Sequence, residues 1–113
     1  ERGQIFTELT PLSGEAVIDK PLPNSFAGSG LQQAVDATGR KALIVCGYMT
    51  HMCVSATVRA AKDLGYQSTV VGAACATRPL PGAVDANVLH QQELAALADF
   101  FATVVADAAA LDA

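Results

Sequence analysis

ALIVCGYMTHMCVSATVRAAKDLG, residues 42 to 65, decides the fold. Its opening ALIVCG is a continuous apolar run without alternation, the pattern of a parallel strand covered on both faces, and it is too short for a core helix. Beyond GYMT, Val54, Val58, Ala61 and Leu64 recur at spacings of three and four, while Arg59, Lys62 and Asp63 fall elsewhere around the cylinder. Thr57 lies beside that stripe, where its methyl can turn inward. Gly65 closes the helix with the residue type that tolerates a left-handed end. A buried strand that hands over directly to an amphipathic helix is the repeating unit of an α/β domain.

Working outward, the same alternation continues on both sides. Upstream, EAVID at 15 to 19 reads as a short strand ending at Lys20, and PLPNSFAGSG as the loop after it. Leu31 to Ala37 carries a brief helical pattern that closes before Gly39. Downstream, STVVGAAC at 68 to 75 reads as a second buried strand, followed by the turn-rich TRPLPG. Val88 to Phe101 repeats the helical period through Leu89, Leu94, Leu97 and Phe101, Ala102 to Val105 is a last short strand, and the alanine-rich tail is helical. Strands and helices alternating at these connection lengths predict a parallel sheet. No internal repeat or low-complexity linker divides residues 1 to 113, so they are read as part of a single domain. These elements are too few to cover both faces of such a sheet, and a partner segment is expected.

Composition narrows the function. The chain of 113 residues is 51% hydrophobic and 16% charged, with a net charge of −4 and a sequence pI near 4.9. Its seven basic residues are scattered, which argues against a nucleic-acid partner. No apolar run approaches the roughly 20 residues that span a bilayer, and ERGQIFTELTPLSGE lacks the order of a signal peptide, so a cytoplasmic setting is expected. The three cysteines, Cys46, Cys53 and Cys75, match neither a CxxC pair nor a zinc ladder.

Chemistry concentrates in GYMTHMCV, residues 47 to 54, between the end of a strand and the start of a helix. Ligands of open parallel sheets bind outside the carboxyl ends of strands, which puts Cys53 at the mouth of a site. In the first turn of a helix, unpaired N–H groups and the positive end of the dipole favour thiolate over thiol, and can steady an oxyanion. Lys20, at the end of the earlier strand, would emerge on the same sheet edge, where its ammonium attracts a thiolate; the alternative is a solvated strand end. Cys46 and Cys75, inside and at the end of apolar strands, are expected to be buried structural thiols. His51 reads as a cap or surface residue and His90 as a core or interface residue. Phe26 either walls the pocket or anchors its loop to the core. GSG at 28 to 30 does not form a dinucleotide fingerprint, and a nucleotide-binding domain is disfavoured.

GYMTHMCV resembles the nucleophile motif of the isochorismatase-like cysteine hydrolases. The order GEAVIDK, NSFAGSGL, ALIVCGYMTHMCVSATVRAAKDLGY, ACATRPLP and LHQQELAALADFFATV extends the resemblance over nearly the whole chain. It implies a three-layer αβα, Rossmann-like fold around a mainly parallel sheet, here without its N-terminal strand or strands. It also implies a catalytic triad of Asp, Lys and Cys. Lys20 and Cys53 occupy the lysine and cysteine positions. The aspartate follows the first strand in the family, and neither Asp19 nor Asp36 sits in a matching motif. The resemblance further implies a cis peptide between Tyr48 and Met49, with the backbone N–H groups of Met49 and Cys53 as the oxyanion hole. Phe26, Tyr48 and Thr50 are the expected substrate contacts.

The implied activity is cofactor-free hydrolysis of a small amide or related C–N bond through a thioester on Cys53, in a protein expected to be a homo-oligomer. Some members of the family instead hydrolyse a vinyl ether. Ala73 stands where relatives often carry an aspartate before the ACATR-like motif. With the unmatched triad aspartate, that keeps open an inactive partner-binding scaffold of the same fold. Nothing in the chain resembles the metal-binding histidines of nicotinamidase-type members, and no metal is assigned.

Overall fold

The strand read at ALIVCG runs over Ala42–Tyr48 (β1) in a computed structural model that describes residues 3–112. Leu31–Ala37 (α1) precedes it. After it come a π-helical turn, Thr50–Val54, and the helix Ser55–Asp63 (α2). Then follow Gln67–Ala76 (β2), Ala86–Phe100 (α3) and Ala102–Val105 (β3). A final 3-10 helix covers Ala108–Asp112.

The three strands form a parallel sheet in the order β1-β2-β3. Ala42 pairs with Gln67 and Val45 with Val70, after which the register jumps and Gly47 pairs with Cys75. The segment of β2 bulged in this way still reaches β3's side, where the Ala73 N–H donates to Ala106 O at 2.9 Å. Parallel neighbours require crossover connections, and α2 and α3 supply them. The two helices also contact each other, so both pack on one face of the sheet. These residues thus supply a portion of the three-layer α/β fold.

The core lies between those helices and the sheet. Val54, Val58, Val70, Cys75, Leu94 and Leu97 form one buried cluster, with Val45 and Val104 packed against it. Val58 and Leu97 have no exposed surface, and burying each such side chain contributes about 1.5–3 kcal/mol. The helix ends follow local chemistry. Asp85 caps α3 by accepting the Val88 N–H at 2.8 Å. Gly65 takes φ 89° just beyond α2.

Two expectations need correction. EAVID is not a strand: residues 15 to 19 are extended coil. A strand needs a neighbour for its backbone groups, and the nearest backbone bond here is local, Glu15 N–H to Leu12 O at 3.0 Å. Nor is β1 covered on both faces. Its residues alternate exposed and half-buried, with Leu43, Val45 and Gly47 toward the helices and Ile44, Cys46 and Tyr48 outward. Ile44 is 66% exposed. Cys46 is therefore an exposed thiol rather than a buried one, because the outer face of β1 meets no layer among the described residues. Cys75 is buried as expected.

Candidate active site

Cys53 is carried by the π-helical turn directly after β1, at the C-terminal edge of the sheet. The peptide between Tyr48 and Met49 is cis, as the resemblance implied. Met49 O then accepts the N–H groups of Met52 at 2.9 Å and Val54 at 3.2 Å, which folds the chain back into the turn. Cys53 is half-buried there.

Lys20 reaches the same point from the coil before α1. Its Nζ lies 3.4 Å from Cys53 Sγ and donates to Leu22 O at 2.9 Å and Pro23 O at 3.4 Å. The two carbonyls of the PLP stretch hold the ammonium in place, so no strand is needed to deliver it. An ammonium at this distance stabilises negative charge on the sulfur. The loop is fastened by Thr57 of α2, whose Oγ1 accepts the Ser25 N–H at 2.9 Å and donates to Ser25 Oγ at 2.9 Å. The hydroxyl of Thr57, rather than its place beside the apolar stripe, ties it to the loop. Lys20, Ser25, Cys46, Tyr48, Cys53 and Thr57 line a cavity of about 160 Å³. A larger apolar groove of about 490 Å³ runs between α3 and β3 past Leu94 and Ala98, but neither Lys20 nor Cys53 lines it.

Over residues 1–109 the chain matches the isochorismatase domain. The chain belongs to the isochorismatase family. It is 44% identical over 102 residues to the secreted isochorismatase effector Isc1 of Verticillium dahliae, a match covering 90% of this chain and 53% of that protein. The crystal structure of an isochorismatase from Pseudomonas putida KT2440 superposes with a TM-score of 0.88 at 46% identity, over 91% of this chain and 55% of that one. Ureidoacrylate amidohydrolase RutB of Cronobacter sakazakii is 34% identical over 68 residues, 60% of this chain and 29% of that protein. The chain thus spans about half the length of the first two relatives. Relatives of the chain include proteins named as hydrolases, a streptothricin hydrolase and an amidohydrolase among them.

The remaining candidates divide around this cavity. Tyr48, 62% exposed, stands at the cavity mouth. Phe26 stacks on Tyr66 with ring centroids 5.7 Å apart, so of its two readings the loop anchor is the one the contacts describe. Thr50 does not face the cavity as a substrate contact should. It is fully buried, with Oγ1 2.8 Å from His90 Nδ1, because the turn points its side chain toward α3. His51 bonds Thr77 through its Nδ1. Asp36 is engaged by the Tyr66 hydroxyl at a distance from the sulfur in sequence and in element, and Asp19 lies exposed in the coil. Among the described residues, no group of three or more His, Cys, Asp or Glu side chains is placed to hold a metal ion. Ser25, and the bond that the Thr57 hydroxyl makes to it, are the features of the cavity wall that periodicity did not single out.

Proposed function

We propose that Cys53 is the nucleophile of a hydrolase acting on a small amide or related C–N bond, with Lys20 as its electrostatic activator. The observation that carries the reading is the 3.4 Å approach of Lys20 Nζ to Cys53 Sγ beside a cavity at the carboxyl end of β1. The thiolate adds to the carbonyl carbon, with the N–H groups of Met49 and Cys53 facing the oxyanion. The C–N bond breaks, and the amine leaves with the proton that the thiol gave up. An aspartate implied by the family, which no residue of this chain matches, carries that proton. Water then cleaves the thioester to release the acid and restore the thiol. The likeness to an amidohydrolase supports a C–N substrate.

The test is a panel of small amides and ureides, with isochorismate as a vinyl-ether arm, assayed with the full-length protein and its Cys53→Ala variant. Release of ammonia or amine by the wild type and its loss in the variant is the expected result. Turnover that survives Cys53→Ala removes the nucleophile assignment, and turnover of isochorismate alone moves the substrate class to vinyl ethers. The cytoplasmic setting belongs to the same reading. Among the described residues no helix is long and apolar enough to cross a membrane, and fractionation of the source cells checks where the protein resides.

A further inference from the structure

We propose that His90 and Glu93 of α3 are positioning residues that clamp the Cys53 turn at both ends; the inference rests on Cys53 being the nucleophile. The two residues lie three apart on one helix, hence on one face. His90 Nδ1 is 2.8 Å from Oγ1 of Thr50, the first residue of the turn. Glu93 Oε1 accepts from the hydroxyl of Ser55, the residue just after the turn. Cys53 lies between the two anchors. Thr50 is fully buried and Ser55 is 6% exposed, so both hydroxyls need internal partners. Arg59 braces the second anchor, donating from Nε to Ser55 Oγ at 3.0 Å and pairing with Glu93 at 3.4 Å.

The clamp matters because the turn is π-helical. It holds one more residue than an α-turn, with the Ser55 N–H reaching back to Thr50 O. Such a turn is rare, and sliding by one residue into α geometry would rotate the following side chains by about 100°. That rotation would carry Sγ away from Lys20 Nζ. Two side-chain bonds from a packed helix, one at each end, hold Thr50 and Ser55 at set positions on α3, so the residues between them cannot rewind into the tighter-wound α geometry. Neither His90 nor Glu93 lines the cavity around Cys53, so their action is through Thr50 and Ser55.

The experiment compares second-order rates of iodoacetamide labelling at Cys53, Cys46 and Cys75 in the full-length protein and in four variants. His90→Gln and Thr50→Val break the first anchor. His90→Asn keeps an oxygen or amide nitrogen at the Nδ1 position, and Thr50→Ser keeps the hydroxyl. Cys46, which lines the same cavity, reports reagent access to it, and buried Cys75 reports unfolding. The expected result is that His90→Gln and Thr50→Val slow Cys53 by about tenfold or more, as misplacement of a reacting group does. Cys46 and Cys75 should keep their wild-type rates, and His90→Asn and Thr50→Ser should restore Cys53. Unchanged Cys53 labelling in His90→Gln and Thr50→Val overturns the clamp, and so does an equal loss in His90→Asn. Exposure of Cys75 in both breaking variants also overturns it, by making the bond a support of the whole fold. If wild-type Cys53 labels no faster than Cys46, the nucleophile reading itself fails and the clamp falls with it, a result separate from failure in the variants alone.

Discussion

Lys20 Nζ stands 3.4 Å from Cys53 Sγ although 33 positions of sequence separate the two residues. The ammonium is held there by the carbonyls of Leu22 and Pro23. It is therefore fixed before any substrate arrives, which is the condition for electrostatic stabilisation without reorganisation. Lys20→Met removes the charge and keeps most of the stem. It should lower kcat/KM by about a hundredfold, on the scale of losing one preorganised charge partner. Lys20→Arg should retain part of the activity. Steady-state kinetics on an accepted amide decide it, and a Lys20→Met enzyme of wild-type rate would rule out activation by this cation.

The three thiols should react in a fixed order. Burial, ahead of the smaller influence of Cys46, pushes the Cys75 thiol up from its ordinary value. Less of it is thiolate at neutral pH, and it is closed to reagent as well. Cys46 is exposed, and the Lys20 ammonium is hydrogen-bonded to Cys53 rather than to it. Peptide mass spectrometry after brief iodoacetamide treatment near pH 7.5 should show Cys53 labelled first, Cys46 next and Cys75 last, with Cys75 catching up only in denaturant. Early labelling of Cys75 would contradict the core described above.

What the sequence made legible follows from what periodicity reports. Apolar spacing records burial, so β1, α2, β2, α3 and β3 were readable, and Val58, Leu94 and Leu97 fell on the buried side. It does not record which face of a strand has a neighbour. Ile44 and Cys46 look as apolar as Val45, yet they lie on a face that no described element covers. EAVID has strand composition but no ladder to join. The nearness of Lys20 to Cys53 was expected from a strand that does not form, and two loop carbonyls supply the delivery instead. Contacts between distant segments left no local trace. The Thr50–His90 and Thr57–Ser25 bonds and the Phe26–Tyr66 stack could not be read from spacing within one element.

Tyr66 gives the fold an alkaline limit. Its hydrogen bond to Asp36 comes first, burial second and the Asp36 charge third, and together they raise the phenol above its ordinary value. The folded protein thus binds this proton more tightly than the unfolded chain does. The resulting stabilisation is complete below about pH 10, the ordinary tyrosine value, and is lost as pH rises through the raised one. Thermal melts should fall more steeply above that pH for the wild type than for Tyr66→Phe. Parallel curves for the two proteins would show that the Asp36 contact does not hold the proton.

Gly47 precedes Tyr48 with φ 129°, a conformation that side-chain-bearing residues rarely adopt. An added Cβ would meet nothing within 4 Å, so the penalty of Gly47→Ala is conformational rather than steric. A loss of about 1–3 kcal/mol is expected in denaturant titrations. The rate at Cys53 should drop with it, since relief of the strain moves the backbone that enters the turn. A variant of unchanged stability would show that the backbone relaxes there without difficulty.

The hydroxyl of Thr57 fastens the segment that delivers the cation, whereas the sulfur sits on a turn rooted in the core. The two reactive groups therefore belong to parts of the molecule with unequal freedom to diverge. A change within residues 21 to 26 would therefore move the ammonium, through the Leu22 and Pro23 carbonyls and the Ser25 bond, before it disturbed the packing beneath Cys53. The α2 hydroxyl is thus the tether that sets how far the cation can drift from the sulfur.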